Sequence, residues 1–254
     1  MTARRRISEL EELSSNAWPA REIEHIGGWK LRANDGITRR ANSVLPLGDP
    51  KRKLEDAIDG VERFYGERGI EPRFQMTEAS IPNNLEARLV ERAYFTDITV
   101  RVQTTPIQNV STIRASHSVE ISRELSSDWL TTYAAAGQYD EKAIESRRGI
   151  LERISAQRAF ALCRESDKVV GVGLGVAERS WMGLFAIETL PMHRRLGVAT
   201  SVIHSLAVWG TEQGARDAYL QVEAKNEPAL ALYEKIGFKD VYQYWSRTGT
   251  TKSL

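Results

Sequence analysis

Cysteine is almost missing from this chain: Cys163 is the one example among 254 residues. An internal disulfide is excluded, and the composition fits a reducing, cytoplasmic setting. Cys163 stands between Leu162 and Arg164 with no histidine near in sequence, so it reads as a small buried hydrophobe and not as a nucleophile. The four histidines, His25, His117, His193 and His204, lack metal-ligand spacing, and one cysteine does not complete a zinc site. No metal is expected. No run approaches eighteen apolar residues, so no membrane-spanning helix is expected. The basic start, Arg4 to Arg6, leads into Ser8-Glu9-Leu10-Glu11-Glu12, where a signal peptide needs an apolar run. Charge of one sign is missing too. Lysine and arginine number 35 against 34 acidic residues, a net charge of +1, which provides no field for nucleic acid or a membrane surface. What remains is an ordinary globular composition, 41% hydrophobic and 27% charged, long enough for one large domain or two modest ones.

The most informative stretch is Pro191-Met192-His193-Arg194-Arg195-Leu196-Gly197-Val198-Ala199. An apolar strand-like run, Leu184 to Leu190, precedes it. Behind it Val198, Val202, Leu206 and Trp209 recur at helical spacing, widened by Ala199 and Ile203. A strand that turns through arginines and a glycine into a helix start builds an anion site. The first helical amides have no intrahelical partner, the helix dipole adds positive charge, and Gly197 removes an obstructing side chain. The run Gly171-Val172-Gly173-Leu174-Gly175 imitates a nucleotide fingerprint but opens no helix, so it reads as a bulged or closely packed strand.

The spacing Arg194-x-x-Gly197-x-Ala199 resembles the acyl-CoA loop of the GCN5-related N-acetyltransferases, the GNAT family. A helix stop at Gly214, a strand from Ala218 to Glu223, and the segment from Asn226 to Phe238 follow in order. That last segment is similar to the family signature N-x-x-A-x-x-L-Y-x-x-x-G-F. The resemblance is specific over Ala159 to Arg247. It implies a mixed α/β fold with a curved sheet flanked by helices, and acetyl-CoA as co-substrate. It also implies that Ile187, Glu188 and Thr189 offer backbone to the pantetheine arm. The diphosphate is expected on amides from Arg195 through Leu196, Gly197, Val198, Ala199 and Thr200, with Arg194 and Arg195 adding charge. Asn226 is expected to touch the pantetheine arm while capping its helix ahead of Pro228. Tyr233 is expected to face the sulfur and protonate the leaving thiolate. Family members acting on protein N-termini often carry a glutamate where this chain has Gln221, which accepts no proton. The base is then Glu188, Glu223 or a water, with Glu188 preferred for its place beside the thioester.

The chain also echoes itself. Phe64 to Gly69 resembles Val208 to Gly214, and Leu89 to Tyr94 echoes Tyr233 to Phe238, with Gly69 and Gly214 145 residues apart and Tyr94 and Phe238 144 apart. A tandem arrangement is the expectation: a degenerate GNAT-like half over 1–105, a linker over 106–116, and a catalytic half over 117–254. The first half is expected to contain strands at Trp29 to Arg32, Thr38 to Leu45, Arg73 to Thr77 and Thr99 to Val102. Helices are expected from Lys51 to Arg68 and from Asn84 to Arg92. The second half should hold a strand at Val119 to Ile121, helices at Asp128 to Ala136 and Glu141 to Ile154, and strands at Ala159 to Arg164, Val169 to Ala177 and Trp181 to Thr189. The charge run Glu141 to Arg148 reads as an exposed helix face. At the place corresponding to the anion loop the first half carries Asp49 and no glycine, so no diphosphate is expected there. Gly28 to Arg32 and Thr38 to Val44 resemble a tandem group that includes N-acetylglutamate synthase-like members. That resemblance implies a small amino acid such as glutamate as acceptor, its carboxylate held by Arg39, Arg40 or Asn42. The expected function is transfer of an acetyl group to the amine of a small molecule by a monomer or homodimer. The alternatives are a non-catalytic acyl-CoA sensor and a protein-lysine or N-terminal acetyltransferase.

Overall fold

A computed structural model of the chain describes residues 2–250. In chain order the elements begin with α1 (Ala3–Ala17), β1 (Glu22–Ile26), β2 (Trp29–Ala33), β3 (Val44–Pro46), α2 (Leu54–Gly66), β4 (Arg73–Met76), α3 (Leu85–Glu91) and β5 (Phe95–Pro106). Then come α4 (Gln108–Ser111), β6 (Val119–Ser122), α5 (Ser127–Gly137), α6 (Glu141–Arg153), β7 (Gln157–Glu165), β8 (Lys168–Glu178) and β9 (Trp181–Thr189). A 3-10 turn (Pro191–His193), α7 (Val198–Glu212), β10 (Asp217–Glu223), α8 (Glu227–Lys235) and β11 (Lys239–Thr248) complete it. One unit is built from residues up to Val100 and from Tyr242 onward, and the other from Arg101–Val241.

This division differs from the expected one. Residues 106–116 are no free linker: they include the end of β5 and all of α4, whose Val110 is fully buried. The chain crosses between units inside β5 and again inside β11. The last residues of the expected second half, 251–254, lie outside the described residues.

In the first unit, β1 and β2 form a hairpin closed by Gly27 and Gly28, with Ile26 facing Trp29. Gly27 has φ +56, the left-handed geometry that two-residue hairpins need. Strand alternation then sorts the sheet into two unlike faces. Phe74 and Met76 of β4 join Trp29, Ile58, Val61 and Leu89 in an apolar core with α2 and α3. Gln75 points the other way, into a polar layer: it donates to Glu11 of α1 and accepts from Arg32 at 3.0 Å. The strand expected over Thr38 to Leu45 is absent before Val44. The buried Asn42 amide explains the loss, because it replaces ladder partners with local ones. Its oxygen accepts from the amides of Asn34 (2.6 Å) and Gly36 (3.1 Å), while its nitrogen donates to the carbonyls of Ile37 (2.6 Å) and Thr38 (2.8 Å). Helix α1 and strand β1 were missed by sequence reading.

In the second unit β6, β7, β8 and β9 run antiparallel in sequence, and β10 joins β9 in parallel, giving a mixed sheet. The expected stripe of α7 lies on it, with Val198, Val202 and Leu206 in one core with Ala161, Leu184 and Leu220. Glycines on β8 permit that approach. A Cβ added at Gly171 would stand 2.3 Å from Val198, and one at Gly173 2.5 Å from Val202.

Four helices, two in each unit, share one kind of ending. Helices α2, α3, α7 and α8 all end with a left-handed residue: Gly69, Ala93, Gly214 and Gly237. The following amide bonds back five residues in every case: Ile70 to Tyr65 O, Tyr94 to Leu89 O, Ala215 to Gly210 O and Phe238 to Tyr233 O. These are Schellman endings, and Ala93 is the one member carrying a Cβ. Replacing it should relieve strain of about 1–2 kcal/mol, offset by about 0.5–1 kcal/mol of unfolded-state entropy. Ala93→Gly is therefore expected to raise Tm slightly and Gly237→Ala to lower it by several degrees, as read by thermal unfolding.

Candidate active site

Strands β9 and β10 stay paired only from Trp181↔Asp217 to Leu184↔Leu220. Beyond Leu184 the edge of β9 that faced β10 has no strand partner among the described residues, and a wedge opens. On its other edge β9 remains tied to β8, with Glu188 opposite Val172 and Thr189 opposite Gly171. Between these ties and Phe185 the register slips at Gly173, and Ala186 adopts φ +49. This bulge leaves the Gly173 carbonyl for the Trp129 indole, which donates to it at 3.1 Å. A bulge re-aims the residues after it. Ile187 packs against the core, while Glu188 is left half-buried.

The wedge leads into the arginine–glycine loop. Arg195 has φ +66, and Gly197, at φ +90 and ψ 0, caps α7 without any side chain. The first bonded amide of the helix is Ser201, which donates to Gly197 O at 3.0 Å. Before it, the amides of Arg195, Leu196, Gly197, Val198, Ala199 and Thr200 have no hydrogen-bond acceptor among the described residues. Six open donors at a helix start are a set that an anion could occupy. Side chains hold this loop in shape. Ser201 Oγ accepts from the amides of Ser116 (3.1 Å) and His117 (3.2 Å) and donates to Gly197 O. Glu165 lies within 3.0 Å of His193 Nδ1 and 3.4 Å of His117 Nε2. Arg194 donates through Nε to Thr189 O (3.2 Å) and through a terminal nitrogen to Ala136 O (3.3 Å). Two of its nitrogens thus brace the loop; Arg194 and Arg195 are both exposed.

A family model described as "Probable histone acetyltransferase Rv0428c C-terminal" matches residues 4–245. The chain belongs to this family of GNAT-type N-acetyltransferases. It is 29% identical over 251 residues to the uncharacterized N-acetyltransferase YobR of Bacillus subtilis, covering 95% of this chain and 98% of that one. It is 26% identical over 242 residues to the probable histone acetyltransferase Rv0428c of Mycobacterium tuberculosis, covering 92% of this chain and 70% of that protein. A GCN5-related N-acetyltransferase from Kribbella flavida has the same fold, with a TM-score of 0.72 at 17% identity and coverage of 99% and 97%. The enzyme class and the mixed α/β GNAT fold follow.

Around the GNAT loop the remaining expected residues fall as follows. Asn226 Oδ1 accepts from Ala229 N at 3.3 Å, the helix-capping role that Pro228 accompanies. Tyr233 is half-buried, edge-on to Phe238 with ring centres 5.9 Å apart. Burial, with the Glu188 charge added, pushes its phenol up to about 12. Burial also raises the Glu188 carboxyl above its usual range, opposed by Arg194 and Arg147. Glu223 pairs at 3.6 Å with exposed Lys225. Burial raises the Cys163 thiol to about 11, which leaves no thiolate for nucleophilic work.

Sequence reading missed the wall supplied by α5 and α6. Trp129, Tyr133 and Tyr139 stack in series, with ring centres about 5 Å apart. Arg147 lies over Tyr139 at 3.8 Å, so this member of the expected exposed charge run turns inward. The i, i+4 aromatic pair Trp129 and Tyr133 was the available signal. Among the described residues no cluster of three or more metal-ligating side chains occurs, and no helix is long and apolar enough to cross a membrane. In the first unit Asp49 Oδ1 accepts from the Lys51 amide at 2.7 Å.

Gly197 carries the sharpest test. A Cβ there would lie 2.6 Å from Ser116 Oγ, on backbone costing an L-residue about 1–2 kcal/mol. Gly197→Ala should weaken acetyl-CoA binding about tenfold or more, and Gly197→Glu should abolish uptake in calorimetry.

Proposed function

We propose that the protein transfers the acetyl group of acetyl-CoA to an amine of a small molecule. The observation that carries this reading is the run of unsatisfied amides from Arg195 to Thr200 at the foot of the β9–β10 wedge. Those donors suit a diphosphate, and the unpaired edge of Ile187 to Thr189 suits the amides of a pantetheine arm lying along it like a strand. The residues fit the co-substrate. Tandem descent from two GNAT-like halves, action in the cytoplasm and a role for Asn226 on the pantetheine arm belong to the same proposal.

Amine nitrogen attacks the thioester carbon, the carbon–sulfur bond breaks, and the nitrogen loses a proton. A lysine-type amine at pH 7 costs roughly 4–5 kcal/mol to neutralise, and an α-amine nearer 1 kcal/mol. Glu188, with its raised carboxyl, is suited to take that proton from an α-amine. Gln221 on β10 is not. Tyr233 keeps its proton at neutral pH. Full transfer from a phenol near 12 to a thiolate of ordinary pKa near 8.5 is uphill by roughly 4–5 kcal/mol. Its contribution is a hydrogen bond to the developing thiolate, worth about 1.5–3 kcal/mol.

The name of the Mycobacterium relative supports a second reading, in which a protein lysine is the acceptor. Turnover panels of amino acids, peptides and histone tails, followed by thiol release, distinguish the two. Faster turnover of peptides than of every small amine overturns the first. Tight acetyl-CoA binding without any turnover favours a sensor.

Tyr233→Phe is expected to lower kcat about tenfold to hundredfold while KM for acetyl-CoA stays within about twofold; unchanged kcat removes Tyr233 from this role. Because only ionised Glu188 accepts a proton and burial raises its pKa, kcat/KM for an α-amine should climb with pH through a limb above the ordinary carboxylate range near 4.3. Glu188→Gln should erase that limb, and a profile identical to wild type would reassign the base to Glu223 or water.

A further inference from the structure

One buried face of the first unit is polar. Tyr242, Tyr244, Ser246 and Thr248 alternate on the buried side of β11, and Ser246 stands directly opposite Gln75 of β4. Arg32, 1% exposed, donates to Ser43 and Gln75, and Glu11, fully buried, accepts from Tyr242 at 2.6 Å and from Gln75. These groups satisfy one another. Beside them lies a narrow cavity of about 20 Å³ whose wall includes Arg39, Arg40, Arg73, Tyr244 and Ser246 and no acidic residue. Asp97 takes the Arg39 fork at two points, Nε at 2.6 Å and a terminal nitrogen at 3.2 Å, and stands 3.9 Å from Arg73. Glu71 approaches Arg73 at 3.5 Å from the solvent side. Ser246 is 4% exposed, and its hydroxyl has no hydrogen-bond partner among the described residues.

An unpartnered buried hydroxyl is destabilising, and guanidinium groups prefer planar, bidentate carboxylate partners. The cavity holds about one water-sized group. One oxygen of a carboxylate fits inside while the other meets the arginines at the mouth, whereas a tetrahedral phosphate brings too many oxygens. We infer that this cavity receives the carboxylate of a small organic anion, with Ser246 Oγ deep in the site and Arg39 and Arg40 at its mouth. Arg73, only 11% exposed through its side chain and bonded to Thr248 Oγ1 at 3.1 Å, holds the wall in place. Of the three carboxylate binders expected from sequence, the loop consumes Asn42, and Ser246 takes over as the deep contact. The inference stands independently of acetyl transfer.

The test uses the full chain without acetyl-CoA, titrated by calorimetry and by thermal shift at fixed ionic strength. Sodium acetate, L-glutamate and succinate are the probes, with chloride and inorganic phosphate as controls. Saturable uptake of at least one carboxylate is expected, weakened about tenfold or more in both Ser246→Ala and Arg39→Gln. Ligand-free Ser246→Ala should match or exceed the wild-type Tm, because the variant removes an unsatisfied group. The exposed Arg39→Gln change keeps the test open if the core variant misfolds. Absence of saturable carboxylate binding, equal response to phosphate or chloride, or wild-type affinity in Arg39→Gln overturns the inference.

Discussion

The second unit depends on one constraint: a helix must begin immediately after a strand without satisfying its own first amides. Apart from Val198 the residues carrying those amides, Arg195 to Thr200, are exposed or half-buried, so what the fold must supply is a fixed path for the loop. Here Ser201, Glu165 and the Arg194 guanidinium supply it. They fix the path from Thr189 to Gly197 through contacts that leave the amides themselves untouched. The loop is braced from behind and open in front, the electrostatic preorganisation that an anion site requires.

The same economy operates one layer deeper. Close approach of α7 to the sheet is possible because Gly171 and Gly173 present no side chains to Val198 and Val202. The bulge at Gly173 and Ala186 then bends β9 away from β10, and Trp129 covers the carbonyl that the bulge exposes. Glycine spacing, helix seating, strand divergence and the exposed edge at Ile187 to Thr189 are thus one linked set. Removing any member disturbs the others.

The two units use similar local geometry for different ends. Helices α2, α3, α7 and α8 end in the same Schellman hydrogen bonds. The first unit invests its buried face in arginine, tyrosine and serine. Burial lowers the Arg73 guanidinium pKa, a sign that the charge there is held against the dehydrating pull of the interior.

The amino-acid order by itself determined the strand–loop–helix passage, the stripe of Val198, Val202 and Leu206, the Asn226 cap and the Schellman glycines. Each depends on periodicity or on backbone conformations that few residues adopt, so each is written in neighbouring positions. Only the tertiary structure decided where long side chains spend their donors. Arg194 reaches Ala136 across 58 residues and Asn42 dissolves an expected strand into a loop. Arg147 leaves a solvated-looking helix face for an aromatic ring, and the last strand enters the first unit. Such choices rest on partners distant in sequence and on competition between alternatives of nearly equal local cost. Periodicity and propensity do not distinguish them, and packing does.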